Sequence, residues 1–252
     1  MRVLAIETAT EALTPWREDY VREMNCQVVH DSLHRRAGWT HSYLLRIGGE
    51  IVGYGAVLVG GPWSGTRTVF EFYVAPRFRA DSFLFFDELL ATTKATHVLS
   101  QTNDALLTTL LHARTKEIVC DKILFSAGET TSLPTRGAAF RRVQPADTER
   151  MFTHQLEPVG DYVLEFEGAV IATGGVLFHY NRPFGDVFFE VAAAFRRRGF
   201  GAYLAQELKR ACRELGSVPC ARCSPKNVAS LHVCRKAGFE PRACMVTGEI
   251  GR

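Results

Sequence analysis

The chain contains a near-copy of part of itself, and a duplicated unit of this size leaves few folds open. YLLRIGGEIVGYGAVLV (43–59) and DYVLEFEGAVIATGGVLF (161–178) each read as two alternating strands, turning at Gly48-Gly49 and at Glu167-Gly168. FEFYVAPRFRADSFLFFDELL (70–90) is matched by VFFEVAAAFRRRGFGAYLAQEL (187–208), each an apolar strand, a loop carrying arginine and an amphipathic helix. Val74 aligns with Val191, 117 positions on, and Asn103 in QTNDALLTTLLH with Asn227 in SPKNVASLHVC, 124 positions on. Offsets this close describe one unit used twice with a few insertions. Between the copies, SAGETTSLPTRGAA (126–139) has no period and reads as a linker. The expected domains are 1–135 and 136–252, each running helix, hairpin, strand, helix, strand, helix, strand. Such an order gives an α/β or α+β fold with a mixed, mostly antiparallel sheet flanked by helices.

Composition narrows the class further. Of 252 residues, 46% are hydrophobic and 23% charged, enough to close a core and too little charge for a disordered chain. No apolar run approaches the roughly 18 residues of a membrane-spanning helix, and the N-terminus lacks the order of a secretory signal, so a cytoplasmic protein without a membrane partner is expected. Seven cysteines without framework spacing argue for reduced thiols. The net charge of +3 divides into −2 for residues 1–135 and +5 for residues 136–252. That excess is too small and scattered for a nucleic-acid groove and suits a domain that holds one polyanionic small molecule.

The loop that would hold it is VAAAFRRRGFGA (191–202), between an apolar strand and a helix whose Phe200, Leu204, Leu208, Ala211 or Cys212, and Leu215 recur every three or four residues before Gly216. Gly199 and Gly201 remove Cβ atoms that would keep a phosphate from the main chain. The helix N-terminus attracts anions, and Arg196, Arg197 and Arg198 add charge. This segment resembles motif A of the GNAT N-acetyltransferase superfamily, an apolar strand followed by Arg/Gln-x-x-Gly-x-Gly/Ala, with Arg196, Gly199 and Gly201 at the motif positions. KNVASLHVCRKAGFEP (226–241) is similar to that family's last helix, and FRRVQPADTERMF (140–152) to its first strand and helix.

The resemblance implies acetyl-CoA as co-substrate, with no metal, in a cleft between the strands near 187–193 and 218–223. It implies pyrophosphate contacts from Arg196, Arg197, Arg198, Gly199, Phe200, Gly201 and Ala202, pantetheine pairing along Val191, Ala192 and Ala193, and further contacts from Asn227 and Ser230. An amine acceptor would attack the thioester directly, which needs a base and an acid. Glu190 and Asp186, four apart on one strand face, are the base candidates. Cys234 stands where the family places an acidic Tyr, with Tyr203 and Tyr180 as alternatives. In the first copy, Ser82 and Leu84 replace the two glycines, so residues 1–135 are expected to be a degenerate GNAT-like domain that does not bind acetyl-CoA in the usual way. Cys220-x-x-Cys223 lacks the further ligands of a zinc site, and His41, His154 and His179 have no partner by spacing. The resulting expectation is an N-acetyltransferase acting on a primary amine. The alternatives are a non-catalytic acyl-CoA-binding module and an assembly protein that keeps only the fold.

Overall fold

The computed structural model describes residues 2–251. Two compact units divide it: Met1–Lys122 together with Ala243–Arg252, and Ile123–Arg242. The division therefore falls after Lys122 and not near 136, and the last segment of the chain belongs with the first unit. Backbone pairing is the reason.

In the first unit, β1 (Val3–Thr8), α1 (Thr14–Met24), β2 (Thr40–Ile47), β3 (Glu50–Leu58), β4 (Thr68–Val74), α2 (Ser82–Thr93), β5 (His97–Gln101) and α3 (Ala105–Arg114) follow in order, and β6 (Thr115–Ala127) begins there. β1 to β4 pair antiparallel in succession. β4 and β5 are parallel and pair only at Thr68–His97 and Val69–Val98, after which they part. The core gathers Leu45, Val69, Phe72, Phe85, Phe86, Leu89 and Leu110. Phe85, Phe86 and Leu89 lie on one side of α2, the helical spacing of an amphipathic element.

The second unit starts inside β6, whose residues Ile123–Ser126 pair with the strand that precedes its last helix. This pairing draws 123–127 into the second unit. Residues 128–138, read as a linker from composition, have no helix or strand and lie within that unit. There follow β7 (Ala139–Arg142), β8 (Tyr162–Phe166), β9 (Ala169–Leu177), β10 (Phe184–Val191), α4 (Phe200–Glu214), β11 (Val218–Cys223) and α5 (Val228–Lys236). β12 (Phe239–Ile250) ends the chain, and its residues Met245–Glu249 pair with β5 in the first unit. β7 to β10 are antiparallel in succession.

The helix expected after β7 is only a 3-10 turn over Pro145–Arg150. There Asp147 bonds the Gln144 N–H and ion pairs with Arg141 and Arg150. α4 matches its sequence pattern: Phe200, Leu204, Leu208, Ala211 and Cys212 are buried, and the Gly216 N–H closes the end on Arg213. Leu215 departs from the pattern, because it is the cap residue and half its surface is exposed.

Candidate active site

β10 and β11 run parallel but pair only through Phe184–Val218, Gly185–Pro219 and Asp186–Cys220. Beyond that point β10 keeps β9 as its neighbour and β11 keeps β6, so a fork opens between Val187–Val191 and Ala221–Cys223. Above the fork, β10 ends at Val191, short of the 187–193 expected from the sequence, and the chain makes a short 3-10 turn over Ala193–Phe195. It then enters the left-handed region at Arg197 (φ +61°) and again at Gly199 (φ +89°) before α4 begins. The first helical bond of α4 runs from the Tyr203 N–H to the Gly199 carbonyl. The N–H groups of Arg197 to Ala202 have no backbone acceptor among the described residues. A run of unpaired amides at a helix head concentrates partial positive charge and favours an anion.

The two glycines act differently. A Cβ on Gly199 would be strained at its φ and would sit 2.6 Å from Nε of Arg136, so the backbone itself requires glycine there. A Cβ on Gly201 would meet only ordinary contacts, the nearest at 3.4 Å from Val233. The three arginines separate as well. Arg196 turns back, its Nε donating to the Val191 carbonyl at 2.9 Å. Arg198 lies over the rings of Phe166, Phe195 and Phe200 at 5.3–5.4 Å. Arg197 has no side-chain partner among the described residues, and Arg136, from the irregular segment, packs onto the loop at Gly199. Sequence reasoning missed Arg136, because nothing in its local pattern links it to a glycine 63 positions later. The side chains of Phe200 and Ala202 are buried in the core, so only their main chain faces outward.

Along β10, Val187, Phe189 and Val191 pack into the core with α4. Asp186 and Glu190 lie on the opposite face, as their spacing requires. Glu190 is nearly fully buried and accepts the N–H groups of Gln155, Leu156 and Glu157 at 3.0–3.2 Å, with Arg196 at 3.4 Å. Burial works against its ionised form, but the amides of Leu156, Glu157 and Gln155 outweigh it and hold the carboxyl below the usual range. Such a carboxylate anchors a loop and is poorly suited to take a proton, which weighs against Glu190 as a base.

Asp186 closes the fork. Nε2 of His179 lies 3.0 Å and Nε of Arg222 3.4 Å from its Oδ2. Arg222 also sits over the ring of Tyr180. Burial and the Asp186 carboxylate push the Tyr180 phenol well above its ordinary value. His179 thus has a partner seven residues away that spacing did not suggest. His154 bonds the Thr173 hydroxyl, and His41 pairs with Glu7.

Cys234 is buried on α5. The thiol of Cys223 beside it, together with burial, drives its pKa far upward, so it is a poor proton donor to a leaving thiolate. Tyr203 is likewise buried in the core of α4. Cys220 and Cys223, three apart on a strand, point to opposite faces. Asn227 is the N-cap of α5, its Oδ1 accepting the Ser230 N–H at 3.0 Å, so this pair fixes the helix beside the fork.

The family model of the acetyltransferase (GNAT) family matches residues 132–239. The structure as a whole is similar to an acetyltransferase from the GNAT family from Colwellia psychrerythraea (TM-score 0.71, 11% identity, all of both chains covered). It also resembles a tandem GNAT protein from the clavulanic acid biosynthesis pathway, solved without AcCoA (0.59, 14%, 100% of this chain and 99% of that one). A third likeness is to a GCN5-related N-acetyltransferase from Sphaerobacter thermophilus (0.57, 15%, 99% and 96%). At these identities the likeness shows the fold. No curated protein matches the sequence.

The stretch of the first unit that the sequence aligns with residues 191–202 differs from it. Arg79 repeats the contact of Arg196, its Nε donating to the Val74 carbonyl at 3.0 Å. But Pro76–Asp81 winds as a 3-10 helix that runs into α2, and the Ser82 N–H is spent on the Arg79 carbonyl. On β5, which has parted from β4, the Gln101 side chain takes the Val29 N–H and donates to the Gln27 carbonyl. The N-cap equivalent to Asn227 is Asp104 and not Asn103, one position later than the sequence alignment placed it.

Proposed function

We propose that residues 123–242 form an acetyl-CoA-dependent N-acetyltransferase that passes the acetyl group directly to a primary amine. The observation that carries this is the run of six unpaired N–H groups, Arg197 to Ala202, at the head of α4 beside the fork of β10 and β11. A pyrophosphate placed there meets those amides and the charge of Arg197 and Arg136. The edge of β10 that β11 leaves open, from Val187 to Val191, offers main-chain groups to the pantetheine amides. Ala192 and Ala193 continue that edge into the loop. Arg196 and Arg198 hold the loop in shape, and Asn227 with Ser230 holds α5. The acetyl group would supply the electrophilic carbonyl, and the open edge of β10 and the loop before α4 would position it.

A second reading, a binding module without turnover, is favoured by Cys234, since a buried thiol stands where the family carries its Tyr. Thiol release from acetyl-CoA over a panel of primary amines separates the two. Transfer to at least one amine supports the enzyme, and binding with no transfer to any supports the module.

The first unit fits a degenerate copy that does not bind acetyl-CoA. The 3-10 winding of its loop uses an amide that a pyrophosphate would need, and the side chain at the end of β5 is engaged with its own chain.

A further inference from the structure

Five of the seven cysteines are buried, and the two that keep part of their surface exposed, Cys120 and Cys244, stand beside each other. Cys120 lies on β6 and Cys244 on β12, and these strands are neighbours in the sheet. Main-chain bonds bracket the two thiols. The Gly251 N–H donates to the Arg114 carbonyl at 2.9 Å and the Gly128 N–H to the Gly238 carbonyl at 3.0 Å, so the strands run antiparallel and Cys120 comes level with the stretch Cys244–Val246. Lys116, 3.8 Å from the Glu249 carboxylate, fits that register. Ile118 and Cys120 are two apart on β6, Cys244 and Val246 two apart on β12, and all four pack on the core of the first unit, so both thiols project from one face. Facing side chains on paired strands have Cβ atoms about 5 Å apart, within a small shift of the roughly 4 Å at which a disulfide closes. Burial and the Cys244 thiol push the Cys120 thiol above its ordinary value, and its Sγ donates to the Lys122 carbonyl at 3.6 Å.

The chain leaves the first unit after Lys122 and returns to it at Ala243. Cys120 lies just before that exit and Cys244 just after that return. We propose that Cys120 and Cys244 form a reversible disulfide that closes the chain around the second unit, with a small-molecule disulfide of the glutathione class as oxidant. One protein thiolate attacks a sulfur of the small disulfide, forming a mixed disulfide and releasing one small thiolate, which takes a proton. The other protein thiolate then attacks the protein sulfur of that mixed disulfide, and the second small thiol leaves. The two cysteines lose two electrons and two protons, and the small disulfide gains both as two thiols. Reduced, the pair packs as small apolar side chains. Oxidised, it links positions far apart in sequence, the case in which closure removes most freedom from the unfolded chain.

Mass spectrometry of the intact chain tests this. The protein is held overnight at pH 8, which raises the thiolate fraction, with either dithiothreitol or glutathione disulfide. Free thiols are then blocked with N-ethylmaleimide in denaturant and the chain is cut with trypsin. The two cysteines fall in separate single-cysteine peptides, EIVCDK (117–122) and ACMVTGEIGR (243–252). After glutathione disulfide these are expected as one linked species, two hydrogens lighter than the pair and released again by dithiothreitol. Cys120 and Cys244 left blocked or stably glutathionylated, or linked to other cysteines, would overturn the proposal. The oxidised protein should also melt on the order of 10 °C above the reduced one, and Cys120→Ser and Cys244→Ser should each abolish both the link and the shift. Both side chains are partly exposed, so these variants are expected to fold. A linked pair that melts with the reduced protein would show that the bond does not constrain the chain, and would equally count against the proposal.

Discussion

Gly199 and Gly201 look alike in sequence, and the structure gives them different duties. Gly199 is demanded by its own backbone at φ +89°, whereas Gly201 has room for a Cβ. Gly199→Ala is therefore expected to cost about 1–2 kcal/mol of stability, read as a fall in the denaturant midpoint. Gly201→Ala should be close to neutral. Asp104 offers a second residue-scale test. Burial, aided by the charges of Glu23 and Glu71, pushes its carboxyl up to about 7, against the Leu107 N–H that it caps. The folded state then binds a proton that the unfolded state, with an ordinary carboxyl, has released. Stability associated with Asp104 is present below about pH 4 and is lost as pH rises toward about 7. Asp104→Asn keeps the cap and should flatten that slope in denaturation curves taken from pH 4 to 8; an unchanged slope would show that another group carries it. The loop before α4 was legible because its glycines and arginines are local. The pairing of His179 with Asp186 was not, since it depends on how a connection folds back on the strand it feeds.

Among elements, α4 was the easiest to read, its apolar spacing fixing the buried face except at the cap. The Pro145–Arg150 segment was misread as a helix because Asp147 spends its carboxylate on a local N–H and two arginines, which favours a short turn. The segment after it is held by Glu190, whose carboxylate ties residues 155–157 to β10 and, through Arg196, to the first residues of the loop before α4. Glu190→Ala should release the Gln155, Leu156 and Glu157 amides to rapid hydrogen exchange and cost about 2–3 kcal/mol. If Glu190 served as the base and not as an anchor, exchange at those amides would stay slow while turnover fell.

For the molecule as a whole, repeat arithmetic found two units but put the boundary too late and missed that residues 243–252 join the first. Composition marked a loop, whereas strand pairing decides membership. Ile123–Ser126 pair with β11, and Met245–Glu249 pair with β5. Deleting 243–252 should strip β5 of a neighbour and remove Val246 from the first core, so limited proteolysis should cut within residues 1–122 before it cuts 123–242. Cleavage of both units at equal rates would mean that the last strand is dispensable. Part of the positive charge of residues 136–252, Arg136 and Arg197, stands beside the unpaired Arg197–Ala202 amides, and acetyl-CoA is proposed to bind there. Calorimetry with acetyl-CoA on the unmodified protein and on Gly201→Glu tests it most directly. The account predicts one site per chain, lost in a Gly201→Glu variant that melts like the unmodified protein; equal affinity in both would contradict it.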